Sequence, residues 1–245
     1  MADDPRMFKE REPILPGTAA TDYERYLKTD VLLSLQKKPE EMNHPDEMTF
    51  QVVHQSSELM MKAAHFDLER AIASAGKKDF ADGARLIRRA NGWVDYAISL
   101  LHVLETLSPY DYHKIRAGLG HGSGLDSPGF LALIAIAPKL GEAFYASLQD
   151  AGISIEEMYR RHLEFFALHD LAERLLDFDE HMQIFRYGHL KLAQRIIGGS
   201  VIGTGGMPME ILRQRQESFF YRPLWDVRNA ITERVNAPKT GHGQD

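Results

Sequence analysis

The chain has 245 residues, a net charge of −6 and no cysteine. That length suits one large domain or two small ones, and acidic and basic residues are interspersed, so no clustered basic face is offered to nucleic acid. Without thiols there are no disulfides, zinc knuckles, iron–sulfur clusters or cysteine nucleophiles, and eleven histidines and ten methionines remain as the soft ligands.

Residues 1–20 are Pro-rich and read as an N-terminal arm; its start is polar and acidic, with no apolar signal region, which points to a cytoplasmic protein. Thr21 or Asp22 can cap a helix through Tyr23, Tyr26, Leu27, Val31, Leu32 and Leu35, which recur at helical spacing. Pro45-Asp46-Glu47 opens a long helix to about Ala75, because Pro suits the first turn and acids favour the positive dipole end. Another helix runs from about Asp79 to Leu107 and stops before Pro109. A Gly-rich loop, 117–127, follows. Pro128 starts a helix to about Leu148, and Ser154-Ile-Glu-Glu157 is a capping-box pattern opening the next. Glu180 to Ile197 is helical and ends at Gly198-Gly199; shorter helices are expected near 208–219 and 224–234.

The sequence shows no sustained alternation of β-branched and polar residues, and no Asn-Gly or Asp-Gly hairpin turn between two such runs. The longest unbroken apolar run, Phe130 to Ala137, ends at Pro138 and is too short to span a bilayer. The fold class is therefore all-α: one bundle-like domain over 21–236, followed by a disordered tail, 237–245.

Two histidines stand out. Phe50, His54, Ser57 and Met61 share one helical face, which sets the His54 imidazole against an otherwise apolar stripe. Taken alone, His54 reads more often as a satisfied core histidine, and His189, among Arg186, Lys191 and Arg195, as a solvated one. Tyr112 and Arg116 lie one helical turn apart at the edge of the Gly-rich loop. A guanidinium and a phenol there can clamp a carboxylate, or the arginine can simply pin the loop. Gly118-Leu-Gly120-His-Gly122-Ser-Gly124 lacks the preceding strand of a dinucleotide fingerprint, and Ser123 fills the third glycine's slot. Gly203-Thr204-Gly205-Gly206 is not followed by the Lys-Ser/Thr of a phosphate loop; its glycines would let backbone approach a flat ligand closely. A di-iron bundle needs two Glu-x-x-His pairs, and only Glu41-Met-Asn-His44 is present.

Six segments in order then resemble the tryptophan 2,3-dioxygenase family of haem enzymes. They are Tyr23-Glu-Arg-Tyr26-Leu27, Phe50-x-x-x-His54-Gln-x-Ser-Glu58-Leu, Tyr112-x-x-x-Arg116 with Ser123 seven residues on, Phe185-Arg-x-x-His189 with Arg195-Ile-Ile-Gly198, Gly203-Thr204-Gly205-Gly206, and Leu224-Trp-Asp226-Val-Arg228. The resemblance implies haem b, one per subunit, with His189 as the axial iron ligand and Gly203 and Gly205 beside the cofactor. It implies that His54 meets the indole N–H, that Arg116 and Tyr112 hold the substrate carboxylate, and that Thr204 lies near the ammonium. Ser123 is similar to a distal-pocket serine and Phe50 to an indole-packing wall. Tyr23 and Tyr26 are similar to a segment inserted into a neighbour's site in a homotetramer. The implied reaction adds O2 across indole C2–C3 of L-tryptophan, giving N-formylkynurenine.

The chain departs from the family between the Gly-rich loop and His189, where it is markedly shorter. Leu125-Asp-Ser127-Pro-Gly-Phe130 replaces an aromatic-rich run, Met60 stands where tryptophan is common, and Met207-Pro208-Met209 where small residues are usual. These positions surround the pocket, so the residues leave open a monooxygenase of a modified, for instance β-substituted, tryptophan. A haem-binding sensor or carrier is the further alternative; it would need only the iron ligand, whereas the chain carries the His54, Arg116 and Thr204 set as well.

Overall fold

The computed structural model describes residues 12–199 and 218–237. The Gly203–Gly206 turn, the helix expected at 208–219 as far as residue 217, the first part of the arm and the tail from 238 lie outside the described residues. Helices and turns, with no strand, make up what is described.

Helix α1, Asp22–Leu27, begins where the capping signal placed it: Glu24 N–H donates to Thr21 Oγ1 at 3.2 Å, and Thr21 N–H donates to the Glu24 carboxylate at 2.9 Å. It does not run on to Leu35. Lys28 takes a left-handed conformation, φ 55°, and a separate short helix α2, Thr29–Leu32, follows. Tyr23, Tyr26, Leu27, Val31, Leu33 and Leu35 are all exposed, so no packing supports one continuous helix here, and propensity alone does not sustain so short a one.

After a 3₁₀ turn at Pro39–Glu41 comes α3, Glu47–Gly76. Its first residue is buried, and the Glu47 carboxylate accepts from Lys37 Nζ at 2.5 Å and Asn43 N–H at 2.9 Å, which fastens the incoming chain to the helix. Helix α4, Phe80–Leu104, stops three residues short of Leu107, and α5, Pro109–Arg116, starts on its proline. A 3₁₀ turn at Gly124–Asp126 leads into α6, Pro128–Ala151. Helix α7, Ile155–Arg160, has half of the expected capping box: Glu157 N–H donates to Ser154 Oγ at 3.1 Å. Helix α8, Phe166–Ile197, starts a full fourteen residues before Glu180, and α9 spans Arg222–Asn236.

Helices α3, α4, α8 and α6 form a ring, each touching the next and α6 closing on α3. The inner stripe of α4 is Ala84, Leu86, Ile87, Ala90, Val94, Ala97, Leu101 and Leu104, the three-and-four spacing of a buried helical face. Leu68, Leu133, Phe144, Leu171, Leu175 and Phe178 meet it from the other helices, each stabilising the fold by roughly 1.5–3 kcal/mol through burial. Helix α6 is long and apolar enough to cross a membrane by length and composition, since the helix continues through Pro138. Its Leu133, Ile136, Ala137, Leu140, Phe144 and Leu148 face is spent inside the bundle core.

One buried charge organises the return of the chain. Asp179 on α8 is fully buried, and its Oδ2 accepts from the backbone N–H of Phe220 and Tyr221 and from Trp225 Nε1, at 3.0, 3.1 and 3.0 Å. Those bonds dock the start of α9 on the bundle. A smaller apolar cluster, Val53, Leu101, Leu104, Leu107, Leu192 and Ile196, forms apart from the main core between α3, α4 and α8, with Phe50, Tyr112 and Phe185 packed against it.

Candidate functional site

The second cluster is where the singled-out residues converge. Phe50 and His54 lie one turn apart on α3 with ring centroids 4.1 Å apart, and Tyr112 of α5 stands 6.0 Å from Phe50. His189 of α8 lies near enough to His54 to feel its charge. Beneath it Gly188 lets α8 approach α4, where an added Cβ would lie 3.0 Å from Leu101 Cδ1. Gly124 abuts the imidazole itself: a Cβ there would lie 2.8 Å from His189 Nε2. The neighbouring Ser123 is half-buried, and its Oγ accepts from Leu125 N–H at 3.2 Å while its own N–H donates to Asp126 at 3.0 Å.

His54 is exposed and His189 half-buried, although protein crowds both imidazoles. Burial pushes each below the ordinary histidine pKa. For His54 the fall is opposed by its bond to Phe50 and by the Glu58 carboxylate, whereas for His189 the charge of His54 adds to it. Both are therefore neutral near pH 7. His54 Nδ1 lies 2.7 Å from the carbonyl oxygen of Phe50. A carbonyl only accepts, so the proton sits on Nδ1, and Nε2 presents a lone pair. His54 is held as an acceptor.

Arg116 is half-buried at the end of α5, which Ile115 anchors in the interior. Among the described residues its guanidinium has no ion pair or hydrogen bond, and neither does the Tyr112 hydroxyl. A cation and a donor left without protein partners beside an aromatic wall suit an anionic group on a ligand. By contrast, Arg195 pairs with Glu105 at 3.1 Å and Arg228 with Glu173 at 2.8 Å; those arginines are structural.

Tyr23 and Tyr26 are not drawn into this cluster. Their rings are 68% and 76% exposed on α1. Gly203, Thr204 and Gly205 lie outside the described residues. Two participants stood in the sequence only as members of a motif, with no role of their own. Gly124 belongs to the Gly-rich loop, but only the fold reveals which glycine meets His189. Glu58, one turn after His54, accepts from the Ser127 hydroxyl and, at 2.8 Å, from Gly129 N–H; its place at i+4 from the histidine was the available signal.

The donor set fits a haem. It provides one neutral, half-buried imidazole whose Nε2 faces a residue without a side chain, apolar walls from two helices, and no carboxylate pairing with that nitrogen among the described residues.

A family model described as tryptophan 2,3-dioxygenase matches residues 15–143, a stretch holding Phe50, His54, Tyr112, Arg116 and Ser123. Curated proteins named tryptophan 2,3-dioxygenase carry the similarity further. The one from Bacillus cereus (strain ZK / E33L) is 28% identical across 85% of this chain and 92% of its own length. Those from Geobacillus thermodenitrificans (strain NG80-2) and Shewanella woodyi (strain ATCC 51908 / MS32) are 29% and 27% identical over the same share of this chain, covering 92% and 90% of themselves.

Proposed function

The chain belongs to the tryptophan 2,3-dioxygenase family, and from that membership we propose that it is a haem-dependent enzyme that adds both atoms of O2 across the indole C2–C3 bond of L-tryptophan, giving N-formylkynurenine. The observation that carries the reading is that His54, held as an acceptor by Phe50, lies near enough to a neutral His189 to act on its charge, with the Gly124 turn against the His189 ring.

In this reading His189 holds haem b, one per subunit, through Nε2, and the haem iron supplies the activation of O2. The chain's own residues do the rest. Arg116 and Tyr112 take the substrate carboxylate, the guanidinium through two parallel bonds and the phenol through one. That fixes the amino acid at one end, so that a collision between two molecules becomes an oriented, effectively unimolecular step. Phe50 packs on the indole. His54 Nε2 receives the indole N–H and fixes which way C2–C3 points, without having to remove the proton. Ser123 completes the wall next to Gly124, while Thr204, Gly203 and Gly205 are assigned to the ammonium and cofactor sides by resemblance alone. Because Gly124 stands so close to Nε2, loading of the cofactor requires its turn to move outward.

The exposed apolar face of α1 and α2 supports assembly: Tyr23 and Tyr26 complete a neighbour's pocket in a homotetramer, and the enzyme works in the cytoplasm. Turnover of tryptophan with ¹⁸O2 tests the reaction. A product carrying two labelled atoms supports dioxygenation; a singly labelled oxidised indole would replace it with a monooxygenase.

A further inference from the structure

Building on the haem and tryptophan reading above, we propose that Glu58 is a positioning residue that sets the distance between the His54 helix and the Ser123–Gly124 turn, and so how His54 stands to the His189 ring against which that turn lies.

The geometry is a short chain of fixed links. Glu58 lies four residues after His54, on the same face of α3. Both of its carboxylate oxygens are engaged by the start of α6: Oε1 accepts from the Ser127 hydroxyl, and Oε2 accepts from Gly129 N–H at 2.8 Å. Ser127 Oγ in turn accepts from Phe130 N–H at 3.1 Å, so the carboxylate and the serine together satisfy two of the first orphan donors of that helix. A negative charge there also meets the positive end of the helix dipole. Gly129 permits the approach, since a Cβ on it would lie 2.7 Å from Glu58 Oε2 and 2.8 Å from Met61 Cβ. The start of α6 therefore rests directly on α3.

From that anchor to Gly124 is a short stretch with little freedom. Ser123 caps the Gly124–Asp126 turn at one end, with its N–H bonded to Asp126, and Ser127 caps α6 at the other. A shift of Ser127 is passed on to Gly124, the residue against His189 Nε2. No lysine or arginine pairs with Glu58 among the described residues, so its ties run only to this junction and, by charge, to His54. A side chain serving only as a helix cap would change stability and nothing else. One that sets the spacing also changes what happens between the two histidines.

The test uses the haem-loaded protein and three variants, Glu58→Ala, Glu58→Gln and Ser127→Ala. Cyanide affinity of the ferric protein, kcat and KM for tryptophan per bound haem, and Tm are measured for each. Glutamine can accept from Gly129 N–H through its carbonyl and donate to Ser127 Oγ through its amide, so it keeps the tether. We expect Glu58→Ala to lower kcat per haem about 10- to 100-fold, the scale of an ångström-sized misplacement, and to shift cyanide affinity by about fivefold or more. Glu58→Gln stays within about threefold of wild type on both, and Ser127→Ala falls between, because it removes one of the two bonds to the carboxylate and leaves the other. The proposal is overturned if Glu58→Ala, or Ser127→Ala should the former not fold, lowers Tm but leaves cyanide affinity and both kinetic constants unchanged. It is likewise overturned if glutamine fails as badly as alanine. Wild type without tryptophan turnover would remove the substrate reading alone; the cyanide series would still decide the role of Glu58.

Discussion

Gly124 packs against His189 so closely that a Cβ at 124 would lie 2.8 Å from Nε2 and 3.3 Å from Cε1. Real Cβ contacts do not come so near, so any side chain at 124 must displace the turn or the imidazole. The pairing ties a loop with no regular core of its own to the nitrogen that the haem reading needs.

Gly124→Ala should therefore keep the helical bundle but shift the turn or the imidazole and bind haem more weakly, while His189→Ala should purify largely without it, because no cysteine is present to substitute as ligand. Soret absorbance against protein concentration measures both. Full occupancy in His189→Ala, with an unchanged histidine-ligated spectrum, would remove the axial assignment.

Arg116 decides the substrate class. Truncating one partner of a buried charge pair costs roughly 2–5 kcal/mol, so Arg116→Ala should raise KM for an amino-acid substrate by at least about 30-fold, with haem content unchanged. Lysine should not rescue it, because a point charge cannot reproduce the two-pronged contact. Indoles without a carboxylate should be indifferent to both changes. Amino-acid kinetics unaltered in Arg116→Ala would end the carboxylate assignment.

The protonation of His54 has a definite sign. Burial outweighs the two influences that favour its charged form, so in the haem-free protein it should titrate below about 6.5, the usual histidine value. The Glu58 carboxylate is one of those opposing influences. Glu58→Gln should consequently lower the His54 pKa further, not raise it. Ring-proton NMR over pH 4–8, a span of roughly two units either side of a histidine pKa, follows both; titration at or above the usual value, or an upward shift in the variant, contradicts the environment described.

Asp179 gives a stability prediction away from the pocket. Removing its carboxylate leaves two buried backbone N–H groups and the Trp225 indole N–H without an acceptor. Asp179→Ala should cost about 3 kcal/mol or more, and Trp225→Phe, which deletes only one donor, nearer to about 1 kcal/mol. Urea unfolding separates the two; equal costs would show that the carboxylate does not act through the three donors together.

Much of this was legible in the residues, and what was not had local causes. The capped starts at Thr21, Pro128 and Ser154 could be read because caps are short-range chemistry. The early start of α8 was missed although Leu168, Leu171, Leu175 and Phe178 recur at helical spacing, because the preceding turn, 161–165, carries no proline or glycine to mark it. The break at Lys28 has no sequence sign either: lysine is a good helix former, and the left-handed turn wins where nothing among the described residues covers α1 and α2. His54 and His189 were picked out by motif order; their neutral state and the His54 tautomer came only with burial and the Phe50 carbonyl. Glu58 needed the fold, since Ser127 and Gly129 are 69 and 71 positions away along the chain.

Asp179 and His189 stand on one helix, ten residues apart. Helix α8 ends at Ile197, where Gly198 N–H closes the last turn on Gln194, and the chain comes back to the same helix at Phe220 through Asp179. The eighteen residues from Asp179 to Ile197 rise about 27 Å along the axis. Departure and return of the chain are thus both gauged against one rigid rod, which also carries the imidazole between them. A sideways or lengthwise displacement of that rod would carry the ligand and both moorings together, keeping their mutual alignment where separate supports would let it drift.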